Sequence, residues 1–270
     1  MKRVVSFGDS FVEGLGTDRK VEESMLSENP QWEEWSDIEK NKARELAHNF
    51  RIENSFTKFF ADKFNVKYCN RGESGCSNKN ILDRIFEFNF EDDDFVLVGF
   101  TSSIRDKLPF WPTIFNDNVA SGITWSTNEI ALITSGRMKI VWNNDDTKQN
   151  YNDFFEKYLK TFITELYDDK YFEIYNLNLV SIITEYLKYK GVNYILFDAF
   201  EPMLTDKHFD KYWECGKKNI YSFLKEFNDN SLYEKDGYNP NKFIARHPSK
   251  SGHKLFAEEL YKFYKEVYDG

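Results

Sequence analysis

A serine near the start of the chain and a histidine near its end are the residues whose types and surroundings most directly suggest chemistry. Ser10 stands in Phe7-Gly8-Asp9-Ser10-Phe11-Val12-Glu13-Gly14, directly after the run Val4-Val5-Ser6-Phe7. A serine hydroxyl is a poor nucleophile at neutral pH. It attacks an acyl carbon only when a tight turn holds it beside a base and backbone N–H groups face the developing oxyanion. Asp-Ser after a strand is also ordinary helix N-cap chemistry, so both readings stand at this point. His247 lies in His247-Pro248-Ser249-Lys250-Ser251-Gly252-His253, ahead of Ala257 and Leu260 at helical spacing. A proline after the histidine can present the imidazole rigidly towards the end of another strand. The alternative is that His247 caps or precedes the helix while His253 lies on its surface.

The elements that must position these groups alternate between strand and helix. Arg3 to Phe7 reads as a buried strand, with the Gly8-Asp9-Ser10 turn at its carboxyl end, where α/β folds place ligands. Ser55 offers an N-cap to a helix whose Phe56, Phe59, Phe60 and Phe64 follow the helical period. Val66 to Cys69 predicts a second strand leading into the turn Asn70-Arg71-Gly72-Glu73-Ser74-Gly75, then a helix from Asn78 to Phe88. Phe95 to Val98 is a third strand, ending at Gly99. Helices are expected at about 151 to 166 and 174 to 190, followed by a strand at Val192 to Phe197 with Asp198 just past its end. A polar loop over about 226 to 242 precedes a final helix from Ser251 to Tyr268. Repetition of strand, glycine turn and helix argues for a parallel sheet with crossover helices. Two segments, about 17 to 50 and 112 to 150, break the pattern and read as insertions in a single domain spanning 1–270.

Bulk composition narrows the classes. The chain is 41% hydrophobic and 18% aromatic, enough to fill an interior and to exclude disorder as a description of the whole. A formal charge of -9 with mixed signs disfavours nucleic acid as a partner, since phosphate binding requires clustered Lys and Arg. Three cysteines, Cys69, Cys76 and Cys215, form neither a paired framework nor a zinc spacing, which favours a reducing compartment. The apolar run after Met1 is too short for a signal peptide, and no stretch reaches the ~18 apolar residues that cross a bilayer. The expectation is a soluble protein, cytoplasmic or virion-associated, with no membrane partner.

Taken in order, these segments resemble the SGNH (GDSL-like) hydrolase family from Lys2 to about Leu260. The family's first block, a strand followed by Gly-Asp-Ser, matches Gly8, Asp9 and Ser10, which implies Ser10 as nucleophile. A second block like Asn-x-Gly-x-Ser-Gly matches Asn70 to Gly75 and implies Gly75 as an oxyanion-hole donor. The His-Pro block with Gly-His matches His247, Pro248, Gly252 and His253, and implies His247 as general base. The resemblance implies a three-layer α/β/α fold with a mostly parallel, flavodoxin-like sheet. It also implies hydrolysis of carboxylic esters without a metal or organic cofactor.

Two positions depart from the pattern. Where the third block carries an oxyanion asparagine, this chain has Gly99-Phe100-Thr101; the threonine hydroxyl can donate one hydrogen bond in place of the amide, or be a weaker or reoriented donor. Where the triad acid stands three residues before the histidine, this chain has Ile244. That leaves a Ser-His dyad, a carbonyl orienting the imidazole, or a carboxylate from elsewhere such as Asp236 or Asp198. Arg105 is a candidate for an anionic substrate group, and Cys76 reads as a small buried thiol. Tryptophans at 32, 35, 111 and 125 fall in or beside the insertions and tilt the substrate towards O-acetyl groups on a glycan; core packing accounts for them equally well. The rival readings are a non-catalytic glycan-binding or virion structural protein on the same scaffold, and a lipase-like esterase.

Overall fold

The computed structural model describes residues 1–15, 17, 36–73, 76–101, 169–200, 202, 209–233 and 247–270. The predicted helix at 151 to 166 and the insertion at 112 to 150 lie outside them.

Four parallel strands form the centre: β1 (Arg3–Gly8), β2 (Lys67–Gly72), β3 (Asp94–Phe100) and β4 (Asn193–Asp198), in the order β2-β1-β3-β4. Registers run from Arg3↔Lys67 to Gly8↔Gly72 on one side of β1, and from Arg3↔Asp94 to Phe7↔Val98 on the other. Beyond β4, Leu196 makes a parallel bridge to Tyr212, so a short stretch around Tyr212 occupies the place of a fifth strand. The order 2-1-3-4 with a fifth position beyond it is the flavodoxin-like order, and its switch point lies between β1 and β3.

Side chains alternate along each strand and supply two separate cores. Val4, Phe95, Leu97, Ile195 and Phe197 pack on one face of the sheet, and Val5, Phe7, Val96, Val98 and Leu196 on the other. The first core is covered by α3 (Phe56–Asp62), α6 (Ile220–Lys225) and α7 (Lys250–Tyr264), through Phe56, Phe60, Leu224, Phe256 and Leu260. The second is covered by α4 (Asn78–Glu87) and α5 (Asp169–Tyr189), through Ile81, Ile85, Val180 and Ile183. Three layers result because both faces of a parallel sheet must be buried. Each of these fully buried side chains contributes roughly 1.5–3 kcal/mol over its exposed state.

Two further helices complete the described frame. The four-residue α1 (Ser10–Glu13) follows β1, and α2 (Asp37–Glu53) begins at a capping box between Ser36 and Glu39. No helix among the described residues is long and apolar enough to cross a membrane.

Several boundaries differ from the sequence expectation. β2 continues through Asn70, Arg71 and Gly72, which had the composition of a turn. Asp198 is the last residue of β4, not the residue beyond it. The final α-helix ends at Tyr264 and widens into a π turn over Lys265–Asp269. The short helix α6 was not expected at all. Ser55 makes no side-chain cap bond to α3; its hydroxyl donates to the Ile52 carbonyl.

Candidate active site

The turn after β1 is set by close packing and one carboxylate. A Cβ on Gly8 would lie 2.1 Å from Val12 Cγ2 and 2.8 Å from the Gly99 carbonyl oxygen, so only glycine lets β1, β3 and α1 meet here. Asp9 then caps α1: its Oδ1 accepts from the Phe11 N–H at 3.0 Å, and its carbonyl accepts from Val12 and Glu13. Ser10 is therefore the first residue of a four-residue helix. The helix ends at Gly14, where φ is +97° and the N–H returns to the Ser10 carbonyl. Asp9 and Ser10 divide the two readings of the motif: the aspartate caps and the serine hydroxyl remains available for other contacts.

His247 reaches that serine from the other end of the chain. Ser10 Oγ and His247 Nε2 are 2.9 Å apart across 237 residues, and both side chains are almost fully buried. For Nε2 to accept the serine proton, the ring's own proton must sit on Nδ1. The imidazole packs against Phe11 at a centroid distance of 4.9 Å, and Phe11 packs on Phe200.

The backbone that carries His247 is clamped to the segment before it. Pro248 bridges Tyr233, the Ser249 N–H donates to the Leu232 carbonyl, and the Ser249 hydroxyl donates to the Ser231 carbonyl. Ser249 also caps α7 by accepting from the Gly252 N–H. A Cβ on Gly252 would fall 2.3 Å from the Leu232 carbonyl oxygen, so the glycine in this block permits the clamp.

His253 has a different role. It is fully buried, not on the helix surface, and its Nδ1 accepts from the Phe56 N–H at 3.4 Å while its ring stacks on Phe56. Its Nε2 makes no hydrogen bond of ordinary geometry, although the Leu15 carbonyl partly offsets the effect of burial on the ring. Burial, together with nearby His247, pushes its pKa down to about 3, so the ring is neutral.

The second block braces the nucleophile helix. Asn70 Nδ2 donates to the Val12 carbonyl at 2.7 Å, and Asn70 Oδ1 accepts from the Gly72 N–H. The Glu73 N–H donates to the Gly8 carbonyl. A Cβ on Gly72 would lie 2.3 Å from the Glu13 nitrogen. Glu13, buried on α1, accepts from Arg51 at 3.0 Å and lies 3.5 Å from His48 Nδ1, which ties α1 to α2. Cys76 is buried in the second core. Gly75 lies outside the described residues, as do Arg105, Asp236, Ile244 and the four tryptophans.

At the end of β3, Thr101 is fully buried, and its hydroxyl donates to Asp9 Oδ2 at 2.8 Å. Asn78, the first residue of α4, holds its backbone: Oδ1 accepts from the Thr101 N–H, and Nδ2 donates to the Thr101 carbonyl and to Asn176. Asp198 accepts from the Tyr212 hydroxyl at 2.7 Å. Burial and the Asp198 charge raise the Tyr212 hydroxyl well above its ordinary pKa. Sequence reasoning missed Asn78, the bracing role of Gly72, and the Asp9–Thr101 pairing. The spacing Asn70-x-Gly72 was in view for the second of these; nothing local marks the other two.

A groove of about 500 Å³ runs past Arg3, Arg71, Arg84 and Phe88 and includes neither Ser10 nor His247. Arg3 is paired with Asp94 and Glu91, and Arg84 with Glu73.

No protein-family model matches the chain, and no curated protein matches it. Among solved structures it is similar to a member of the lipolytic protein G-D-S-L family from Veillonella parvula, at 10% identity and a TM-score of 0.33. That match covers 100% of this chain and 99% of the other. It is similar to a carbohydrate esterase family 2 enzyme with a carbohydrate-binding domain from Corynascus thermopiles, at 11% identity and a TM-score of 0.40. There the match covers 100% of this chain and 67% of the other. An alpha/beta hydrolase from the metagenome of Lake Arreo matches at 12% identity and a TM-score of 0.32, over 97% and 94% of the two chains. By its own strand order the chain has a parallel α/β/α fold of flavodoxin-like type, and in its motifs it resembles the SGNH hydrolases.

Proposed function

We propose that this protein is a serine ester hydrolase in which Ser10 is the nucleophile and His247 the general base. The observation that carries the reading is the 2.9 Å contact between Ser10 Oγ and His247 Nε2, made at the carboxyl end of β1. As Ser10 Oγ attacks the ester carbonyl, its proton passes to His247 Nε2, and the imidazolium then protonates the departing alcohol. Water, deprotonated by the same imidazole, releases the acyl group and regenerates the serine. The Ser10 N–H, first in α1, and the N–H of Gly75 are the donors proposed for the oxyanion. A tilted, aromatic support under His247 suits this role, because Phe11 fixes the ring plane without titrating.

The substrate class proposed is a small acyl ester, with O-acetyl groups on a carbohydrate as the first to assay. A second reading, a binding protein on the same scaffold, has one observation in its favour: the Thr101 hydroxyl donates to Asp9 and is not free to face an oxyanion. The assay that separates the two is release of acetate from aryl acetate and from acetylated saccharides by the unmodified protein, Ser10→Ala and His247→Ala. Turnover that both substitutions abolish supports the hydrolase. Tight saccharide binding with no turnover in any of the three supports the binding protein.

A further inference from the structure

We infer that Thr101 is a positioning residue that acts on Ser10 through Asp9, and that it does not donate to the oxyanion. This rests on the reading of Ser10 as nucleophile. A threonine hydroxyl has one proton. Here it lies on a 2.8 Å bond to a carboxylate oxygen, with both residues fully buried. A bond to a charged acceptor is worth about 1.5–3 kcal/mol, against about 0.5–1.5 for a neutral one. Turning the hydroxyl to a reacting carbonyl would break that bond in order to form another to an oxyanion of the same charge, so little net stabilisation remains.

The backbone cannot swing to help. Asn78 grips the Thr101 N–H at 2.9 Å, and Asn78 itself is tied to Asn176 on α5 at 2.7 Å. The opposite oxygen of the same Asp9 carboxylate accepts the Phe11 N–H, one residue beyond the nucleophile. A buried chain therefore runs from α5 through Asn78, Thr101 and Asp9 into the first turn of α1, and it fixes the place from which Ser10 Oγ meets His247. Threonine at this position changes the job of the third block from contacting the reaction to holding the first block still.

The test is a double-mutant cycle on kcat for one aryl acetate. Thr101→Val removes the donor at constant shape. Asp9→Ser keeps an N-cap oxygen for α1 but is too short to accept from Thr101. If Thr101 acts through Asp9, Thr101→Val lowers kcat by ~10- to 100-fold with KM nearly constant, and Thr101→Ser restores it. In the Asp9→Ser background the same Thr101→Val change then has less than about a 3-fold effect. An equal loss in both backgrounds, of the ~10²- to 10³-fold size expected for a direct donor, overturns the inference. An unmodified protein that turns over no ester overturns the proposed function instead. In that event the cycle is read in thermal unfolding, where non-additive shifts support the Asp9–Thr101 link and additive shifts refute it.

Discussion

The backbone N–H of Phe56 donates to Nδ1 of His253, 197 residues later, so a histidine from α7 caps the start of α3. Ser55 stands at the cap position and leaves the work to that ring. His253→Ala is expected to destabilise the fold by about 2–4 kcal/mol, by opening a cavity beside Phe56 and leaving a helix N–H without its acceptor. The folded chain, at 25 °C, is expected to hydrolyse esters within ~10-fold of the unmodified rate. Inactivation as complete as that of His247→Ala, in a folded protein, would make His253 the base.

The same ring gives a pH dependence of known sign. Its folded pKa, about 3, lies below the ordinary 6.5, so the unfolded chain binds a proton that the native state refuses. Stability from this group is full above pH 6.5 and falls as pH drops towards 3, by up to roughly 5 kcal/mol. Denaturant unfolding between pH 4 and 7 should show a steeper acid loss for the unmodified protein than for His253→Ala. Parallel curves would contradict this.

Gly72→Ala should damage catalysis more than folding. The added Cβ would meet the Glu13 nitrogen at 2.3 Å and the Val12 carbonyl carbon at 2.7 Å, so α1 must move away from β2 and carry Ser10 with it. A displacement near 1 Å lowers kcat by about 10²-fold. Steady-state kinetics beside circular dichroism reads this; an unchanged kcat would mean that the turn does not depend on β2.

Asp198 is engaged by the Tyr212 hydroxyl beside the isolated bridge from Leu196 to Tyr212, and it is expected to contribute to stability rather than to proton transfer. Asp198→Asn should keep kcat within a few fold, while Asp198→Ala should cost about 1–3 kcal/mol by removing the acceptor of a buried hydroxyl. A loss of ~10⁴-fold in kcat with the fold intact would identify it as the acid that orients His247.

How much of this was legible in sequence differs from one element to the next. β1 and β3 were legible because Val4, Val5 and Phe7, and Phe95 to Val98, place apolar side chains on both faces, as a central parallel strand requires. The end of β2 was not, because Asn70 and Arg71 carry turn-like side chains; in the fold, Asn70 turns inward to bond the Val12 carbonyl. The segments that carry Ser10 and His247 stood out as local motifs, and the fold brings the two side chains to 2.9 Å. The neutral cap made by His253 and the bond from Thr101 to Asp9 were not, since each joins residues about 200 and 92 positions apart and depends on burial that no local window encodes.

Activation of Ser10 by His247 is measured directly by fluorophosphonate labelling followed by peptide mass spectrometry. One phosphonylated residue is expected, Ser10, with labelling abolished in Ser10→Ala and slowed by ~10²-fold or more in folded His247→Ala. Labelling at any other residue, or equal labelling rates with and without the His247 imidazole, would contradict it.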